Sequence, residues 1–173
     1  MICLRLLVSD AERGNSSISD CSHGLESCHV NNVTNASTTV VPTITVASLI
    51  YLLKQENQLS LSEQKIDILQ IDTEGNDALV IFGAKGLLQI GLIRVIIFEY
   101  HHIGQWSGIS LKSVATYLYG MRYICYFTGQ RGRLWPISGD YWSDLYEIKM
   151  WSNVACFYKD DAWHAVIAEY VVN

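Results

Sequence analysis

Acidic residues and histidines follow two short apolar runs of the sequence, at the point where each run ends. Asp72 and Glu74 follow the first run, and Glu99, His101 and His102 close the second. Carboxylates and imidazoles supply the acid, base and cation-binding groups that proton transfer requires. If both runs are parallel strands, these side chains meet in the crevice beyond the carboxyl ends of the strands, where open α/β sheets bind ligands.

Each of these residues also has a purely structural interpretation. Asp72 and Glu74 suit the start of a helix, where the helix dipole favours negative charge. Side chains alternate in orientation along a strand, so only one of His101 and His102 can point into the crevice. The carboxylates are also compatible with a different α/β enzyme that uses them to hold a metal ion.

The elements that must position these residues alternate between strand and helix. The sequence predicts strands over 1–8, 43–46, 66–71, 95–98, 123–127 and 151–158, and helices over 48–56, 76–89 and 110–119. Ser48 is the predicted cap of the first helix, and Gly91 lies where the second would have its C-cap. The 76–89 helix should bury Leu79, Phe82 and Leu87/Leu88. It joins two strands in a βαβ unit, so the predicted fold class is α/β.

The length and composition indicate a single domain over residues 1–173. Half of the residues are apolar, which is enough for a buried core. Residues 9–39 are rich in Ser, Asn, Thr, Asp and Gly, and they predict a long polar loop with at most one short strand. The net charge is −5 and no Lys/Arg cluster is present, so a nucleic-acid partner is excluded. The longest apolar stretch, 87–98, is interrupted and too short for a transmembrane segment.

The cysteines favour a cytoplasmic, reducing environment. Their number is five, which is odd, and a domain of this size needs no disulfides, so we expect free thiols. No signal peptide is visible, because Arg5 interrupts the apolar start of the chain and no cleavage site follows. Three N-glycosylation sequons, at Asn15, Asn32 and Asn35, leave the compartment open.

Several catalytic and binding motifs are missing from the sequence. It contains no G-x-S-x-G, no P-loop and no G-x-G-x-x-G, which argues against hydrolases and nucleotide triphosphatases. Cys21, His23, Cys28 and His29 lie within nine residues, but their spacing is not that of a zinc knuckle, and we predict no metal site.

The segment Ile68-Leu69-Gln70-Ile71-Asp72-Thr73-Glu74-Gly75-Asn76-Asp77, followed by Gly83-Ala84 and Phe98-Glu99-Tyr100-His101, resembles the FkbM family of S-adenosylmethionine-dependent methyltransferases. The family pattern is a strand, I-D-x-E-G-x-(D/E), a helix with a G-A pair, and a second strand closing with F-E. Leu7-Val8-Ser9-Asp10 and Trp151-Ser152-Asn153-Val154 are similar to further family segments. The resemblance covers nearly the whole chain.

The resemblance implies a Rossmann-like class I methyltransferase sheet with the strand order 3-2-1-4-5-7-6. If 1–8 is the third strand, the sheet lacks its first two strands and the glycine-rich loop that the first carries. The resemblance therefore implies an incomplete domain. The implied cofactor is S-adenosyl-L-methionine, with Ser9 and Asp10 approaching its adenine and Asp72 lying beside the transferable methyl group or a substrate hydroxyl.

The implied reaction is O-methylation of a hydroxyl on a sugar or another small molecule. Asp72, Glu74, Glu99 and His101 are the implied catalytic residues. Glu74 would orient its neighbours, while Glu99 and His101 would face the acceptor and one of them would take its proton. The alternative is a non-catalytic binding module, in which the same half-fold keeps a crevice rimmed by Trp106 and the histidines.

Overall fold

A computed structural model describes residues 7–8, 14–19, 30–31, 38–55 and 65–172. Of those up to residue 41, only the backbone is described. The strands are β1 Leu7–Val8, β2 Gly14–Ser19, β3 Val30–Asn31, β4 Thr38–Ile44, β5 Ile66–Gln70, β6 Ile93–Tyr100, β7 Tyr123–Thr128, β8 Leu134–Pro136 and β9 Ser152–Tyr158. The α-helices are α1 Val46–Gln55, α2 Asp77–Gly83, α3 Lys85–Gln89, α4 Leu111–Gly120 and α5 Ala162–Val166. None of the helices in these described ranges has the length and apolar character needed to cross a membrane.

The chain forms two compact units, of which the first comprises residues 1–60 and 79–85. Its four-stranded sheet has the order β1-β4-β2-β3, with β1 parallel to β4 and the other pairs antiparallel. Strands β2 and β3 lie inside the 9–39 segment predicted as a loop. The sequence of β2 has no alternation of apolar and polar residues. Its six residues nevertheless pair in register with β4, and this pairing satisfies their backbone hydrogen-bonding groups.

Helix α1 begins three residues earlier than the prediction that placed its cap at Ser48. The Thr45 Oγ1 accepts a hydrogen bond from the Ser48 backbone N–H at 3.0 Å, so Thr45 is the cap. Both hydroxyl residues are suitable caps, and the sequence pattern selected the second of them.

The second unit comprises residues 61–78 and 86–173. Its five-stranded sheet has the order β5-β6-β9-β7-β8. The predicted parallel pairing of β5 with β6 is confirmed, and β9 runs antiparallel to both β6 and β7. Strands β5, β6 and β7 consequently point the same way, and their carboxyl ends share one edge of the sheet. The sheet and α4 contribute buried core residues, which include Val95, Ile96, Phe98, Leu111, Val114, Leu118, Tyr123 and Val154.

The helix predicted over 76–89 is two helices, α2 and α3, separated at Ala84. The Ala84 N–H bonds the Ile81 carbonyl, which tightens the chain to a 3₁₀ turn. The predicted burial of Leu88 is confirmed, whereas Leu79 and Phe82 are only half-buried. Every residue from 78 to 84 is apolar or glycine, so no polar residue in the sequence indicates which face of the helix is exposed.

The predicted C-cap at Gly91 is confirmed. Gly91 has a φ of 61°, and its N–H bonds the Leu88 carbonyl at 3.0 Å. The N–H of Leu92 reaches back to the Leu87 carbonyl, also at 3.0 Å, which completes the pair of bonds typical of a glycine cap.

The expectation that all five cysteines are free thiols is wrong. Cys125 and Cys156 form a disulfide between β7 and β9. They are register partners on neighbouring antiparallel strands and both are fully buried. Their separation of 31 residues in sequence gave no sign of this pairing. Two of the five cysteines on which the prediction of a reducing compartment rested are therefore oxidised.

A buried carboxylate holds together the side of the sheet opposite the candidate site. Asp161 accepts hydrogen bonds from Lys65 at 2.8 Å, from Arg94 at 2.9 Å and from the Trp163 N–H at 3.1 Å. Burial alone would raise the pKa of Asp161, but these donors outweigh it and hold the pKa below its usual value. The charged carboxylate therefore stabilises the fold.

We predict that Asp161→Asn lowers the free energy of unfolding by about 2 kcal/mol at neutral pH. The folded-state pKa is depressed, so the contribution is present above the unfolded-state pKa of about 3.9 and is lost as the pH falls through the folded-state value. Urea unfolding at pH 7 and at pH 3 measures this difference. The neighbouring exposed Asp160, paired with Arg122, provides the control Asp160→Asn, for which we expect little change. An equal loss in both variants would contradict the assignment.

Candidate functional site

Strand β5 ends three residues before β6 at the shared edge of the sheet, because its last residue, Gln70, pairs with Ile97. The Ile71 N–H still donates to the Ile97 carbonyl at 2.8 Å, so the turn after β5 lies beside the last residues of β6. Asp72 and Glu74 follow β5 within one tight turn, while Glu99 lies near the end of β6. Backbone pairing thus brings carboxylates from two distant parts of the sequence to one edge.

The turn after β5 has an unusual backbone conformation. Glu74 has a φ of 51° and Gly75 a φ of 97°, and only the second is a conformation that glycine alone adopts readily. A Cβ built on Gly75 would lie 2.4 Å from the Ile103 carbonyl oxygen. The Gly75 carbonyl also accepts a hydrogen bond from the Gln105 N–H at 2.9 Å. The turn is therefore locked against the loop that follows β6.

Asp77 is the residue that fixes this turn from inside. Its side chain is fully buried and accepts hydrogen bonds from the Thr73 hydroxyl and the Gly75 N–H, both at 3.2 Å, and from the Glu99 N–H at 3.4 Å. Burial raises the pKa of Asp77 even though these donors lower it. Asp77 was not among the site residues predicted from the sequence. It closes the I-D-x-E-G-x-D motif, and this position was the signal that could have identified it.

Asp72 and Glu74 differ in their surroundings. Asp72 is exposed at the end of β5, and its carboxylate has no hydrogen bond or ion pair within the described ranges. Glu74 is half-buried, and its Oε2 is shielded from solvent without a partner in that same part of the chain. A shielded oxygen without a donor is costly unless a bound molecule satisfies it.

Glu99 carries a hydrogen bond that sequence analysis did not foresee. The Trp151 indole Nε1–H donates to the Glu99 Oε2 at 2.9 Å. Trp151 lies just before β9, and Glu99 is the register partner of Asn153 on that strand. The indole therefore orients the carboxylate and leaves the second oxygen open on the described part of the chain. The similarity of Trp151-Ser152-Asn153-Val154 to a family segment was the signal that could have included Trp151.

The two histidines differ in burial, as side-chain alternation predicts. His101 is fully buried and His102 is exposed. The His101 Nδ1 accepts a hydrogen bond from the Ile103 N–H at 3.1 Å, so the neutral ring carries its proton on Nε2. Trp151 stacks on the His101 ring at 4.4 Å between centroids, and the Nε2 is buried with no partner among described residues. His101 can therefore act as a hydrogen-bond donor.

The expectation that Trp106 rims a crevice is wrong. The Trp106 side chain is fully buried, with its ring 5.9 Å from Phe98 and 5.1 Å from Tyr100. Its carbonyl accepts a hydrogen bond from the Lys149 ammonium group. Trp106 belongs to the core because the short 3₁₀ helix Gly104–Ser107 turns it back towards β6. Trp151 is the exposed tryptophan beside Glu99 and His101.

Ser9 and Asp10, the residues expected to approach an adenine, lie outside the described residues, as do Cys21, His23, Cys28 and His29. The described part of the chain brings Asp72, Glu74, Glu99 and His101 to the same sheet edge. Their catalytic roles remain predictions.

A model of the Methyltransferase FkbM domain matches residues 7–125, which is more than half of the chain. This match places the protein among the methyltransferase domains. More particularly, the chain belongs to the FkbM methyltransferase family, as the I-D-x-E-G-x-D motif and the sheet edge it forms had indicated. The match includes Asp77 and Trp106, but it ends before Trp151 and β9. Comparison with curated proteins and with solved structures found no match.

We predict that Gly75→Ala destabilises the site and the fold together. The new Cβ would collide with the Ile103 backbone at a φ that alanine rarely adopts, at a cost of about 2 kcal/mol or more. Gly86, in α3, is the matched control, because a Cβ there meets nothing within 4 Å. We expect Gly86→Ala to raise stability by about 0.5 kcal/mol. Thermal unfolding of both variants measures the contrast, and a Gly75→Ala protein as stable as Gly86→Ala would show that the turn is not locked.

Proposed function

We propose that the protein is an S-adenosylmethionine-dependent methyltransferase that methylates a hydroxyl of a sugar or another small molecule. The observation that carries the proposal is the Asp77 carboxylate, which joins the turn after β5 to the backbone of Glu99. This anchoring sets two carboxylate-bearing segments side by side in a chain that belongs to a methyltransferase family. It supports a single site at this edge.

The sheet of the second unit supports a Rossmann-like fold. Its order β5-β6-β9-β7, with β9 antiparallel, corresponds to the 4-5-7-6 half of the order expected for class I methyltransferases. Strand β5 would then be the fourth strand, whose other neighbour is the first. The absence of the first two strands stays a prediction.

The described residues fit part of a cofactor site. S-adenosyl-L-methionine supplies an electrophilic methyl group when it is bound. Asp72 has an exposed carboxylate, unpaired within the described ranges, that can accept hydrogen bonds or face a positive charge. The shielded Oε2 of Glu74 has no hydrogen-bond donor within the described ranges. A hydrogen bond from a bound ligand would satisfy this oxygen. We propose that Ser9 and Asp10 complete the adenine side.

The hydrogen bonds around His101 distinguish between two candidate bases. Because Nδ1 already accepts the Ile103 N–H, neutral His101 has no free lone pair for the acceptor's proton. Glu99 has one oxygen bonded to Trp151 and a second that is open. We propose that Glu99 takes the proton of the acceptor hydroxyl. The hydroxyl oxygen would bond to the methyl carbon while the sulfur–carbon bond breaks, and S-adenosylhomocysteine would be the leaving group. His101 would then donate from Nε2 to orient the acceptor, once Trp151 moves aside.

A non-catalytic binding module is the second candidate. The absence of a G-x-G-x-x-G sequence favours it, and so does the closure of His101 beneath Trp151. Such a module would be stable and would keep the site edge without binding the cofactor.

We predict saturable one-site binding of S-adenosylhomocysteine to the chain in a calorimetric titration. Asp72→Ala should weaken this binding roughly tenfold, which is the loss expected for a charge-assisted hydrogen bond. The control is Asp140→Ala, an exposed aspartate in the 3₁₀ helix Gly139–Tyr141, which should leave the affinity unchanged. A well-folded chain that binds no S-adenosylhomocysteine would refute the proposal and favour the binding module.

We further predict that Glu99→Gln abolishes methyl transfer to sugar alcohols without weakening S-adenosylhomocysteine binding. The glutamine keeps an oxygen for the Trp151 indole but cannot take a proton. The expected loss of kcat is about 100-fold or more. Transfer of a labelled methyl group measures it, and a Glu99→Gln protein with undiminished kcat would assign the proton transfer to another group.

A further inference from the structure

The hairpin between β7 and β8 forms a cavity that the proposed function does not use. Gln130, Arg131, Arg133 and Trp135 line it, and its volume is about 370 Å³. We propose that this arginine cavity binds the phosphate or carboxylate group of an anionic sugar. The anion site stands on the cavity, its charges and its aromatic face, and it does not depend on the proposed function.

The two arginines of the cavity differ from Arg94 and Arg122, the other arginines in the described part of the chain, in their ion pairing. Arg94 pairs with Asp161 and Arg122 with Asp160. Arg131 and Arg133 are exposed and have no carboxylate partner within the described part of the chain. Guanidinium groups bind phosphate and carboxylate with two parallel hydrogen bonds, so the cavity has the chemistry of an oxyanion site.

The loop that carries these arginines is rigidly built. Arg131 and Gly132 have φ values of 60° and 73°, and the Gly129 N–H closes the loop on the Arg133 carbonyl at 2.8 Å. The Trp135 ring lies directly on Gly129, because a Cβ there would be 1.9 Å from the ring. The tryptophan is therefore held in place with 38 % of its surface exposed. A fixed aromatic face beside two cations suits a ring that carries a negative charge.

The arginine cavity lies at the same sheet edge as Glu99. Strand β7 ends at Thr128, whose hydroxyl donates to the Asn153 carbonyl at 3.3 Å, and Asn153 is the register partner of Glu99. Two strand spacings separate β6 from β7, or roughly 10 Å. Trp135 pairs with Phe127, which lies opposite Val154 and thereby on the Phe98 face, so its side chain projects from the face of the sheet opposite to Glu99. The arginine cavity is therefore a site of its own. Its aromatic face and two cations suit an anionic sugar, either phosphorylated or a uronic acid.

Calorimetric titration with glucose 6-phosphate, glucuronate, glucose and inorganic phosphate tests this inference. We expect one of the two charged sugars to bind at least tenfold more tightly than glucose, and the preferred one identifies the anion. It should also bind more tightly than inorganic phosphate, because only a sugar uses the Trp135 face. Equal binding of charged sugars and glucose, or of sugar and inorganic phosphate, would overturn the inference.

Variants of the two arginines locate the binding. Arg131→Asn keeps a residue that tolerates the left-handed backbone, and Arg133→Ala removes the second guanidinium group; each should weaken sugar binding roughly tenfold. Arg122→Ala is the matched control, since it removes an arginine already paired with Asp160. Binding that survives both arginine changes, or falls equally in Arg122→Ala, would place the anion elsewhere.

The same samples separate this inference from the proposed methyl transfer. S-adenosylhomocysteine should bind the Arg131→Asn and Arg133→Ala proteins as it binds the unaltered chain. Arginine-dependent sugar binding without S-adenosylhomocysteine binding would leave the anion site standing and refute the methyltransferase. S-adenosylhomocysteine binding without charged-sugar binding would refute the anion site and leave the proposed methyltransferase standing.

Discussion

The buried Asp77 carboxylate is the constraint on which the site depends. It accepts three hydrogen bonds, two from the turn after β5 and one from the backbone of β6. Burial opposes its ionisation, so the fold keeps this carboxylate only because the donors around it are fixed. Without it, the left-handed turn at Glu74 and Gly75 would lose the two hydrogen bonds that hold it from inside. The positions of the outer carboxylates are thus set by a residue that need not touch any ligand.

Strand direction decides what else can share the site. Strands β5, β6 and β7 end at one edge because β9 is antiparallel to its neighbours on both sides. The start of β9 therefore falls at that edge too, which delivers Trp151 to Glu99 and His101. One indole both orients a carboxylate and covers an imidazole, so movement of Trp151 would change the environment of two candidate groups at once.

Sequence patterns predicted the secondary structure correctly where apolar and polar residues alternate clearly. The βαβ unit around Asp72 and the glycine cap at Gly91 follow from local spacing alone. The break at Ala84 was not predictable, since the surrounding residues are uniformly apolar. Strand β2 and the Cys125–Cys156 disulfide depend on pairing with distant segments, which no local pattern contains. The same reason explains the site: the carboxylates were identified from their positions after strands, whereas the Trp151 contacts arise only from register.

The charges along this edge follow a gradient that matches the proposed chemistry. Carboxylates stand at the ends of β5 and β6, and guanidinium groups without a carboxylate partner in the described ranges stand beyond β7. A sulfonium cofactor is cationic and would be favoured on the acidic side, while an anionic sugar would be drawn to the basic side. Strand β9 carries no charged side chain and lies between the two. The opposite charges at this edge would therefore separate a cationic ligand from an anionic one before either makes a specific contact.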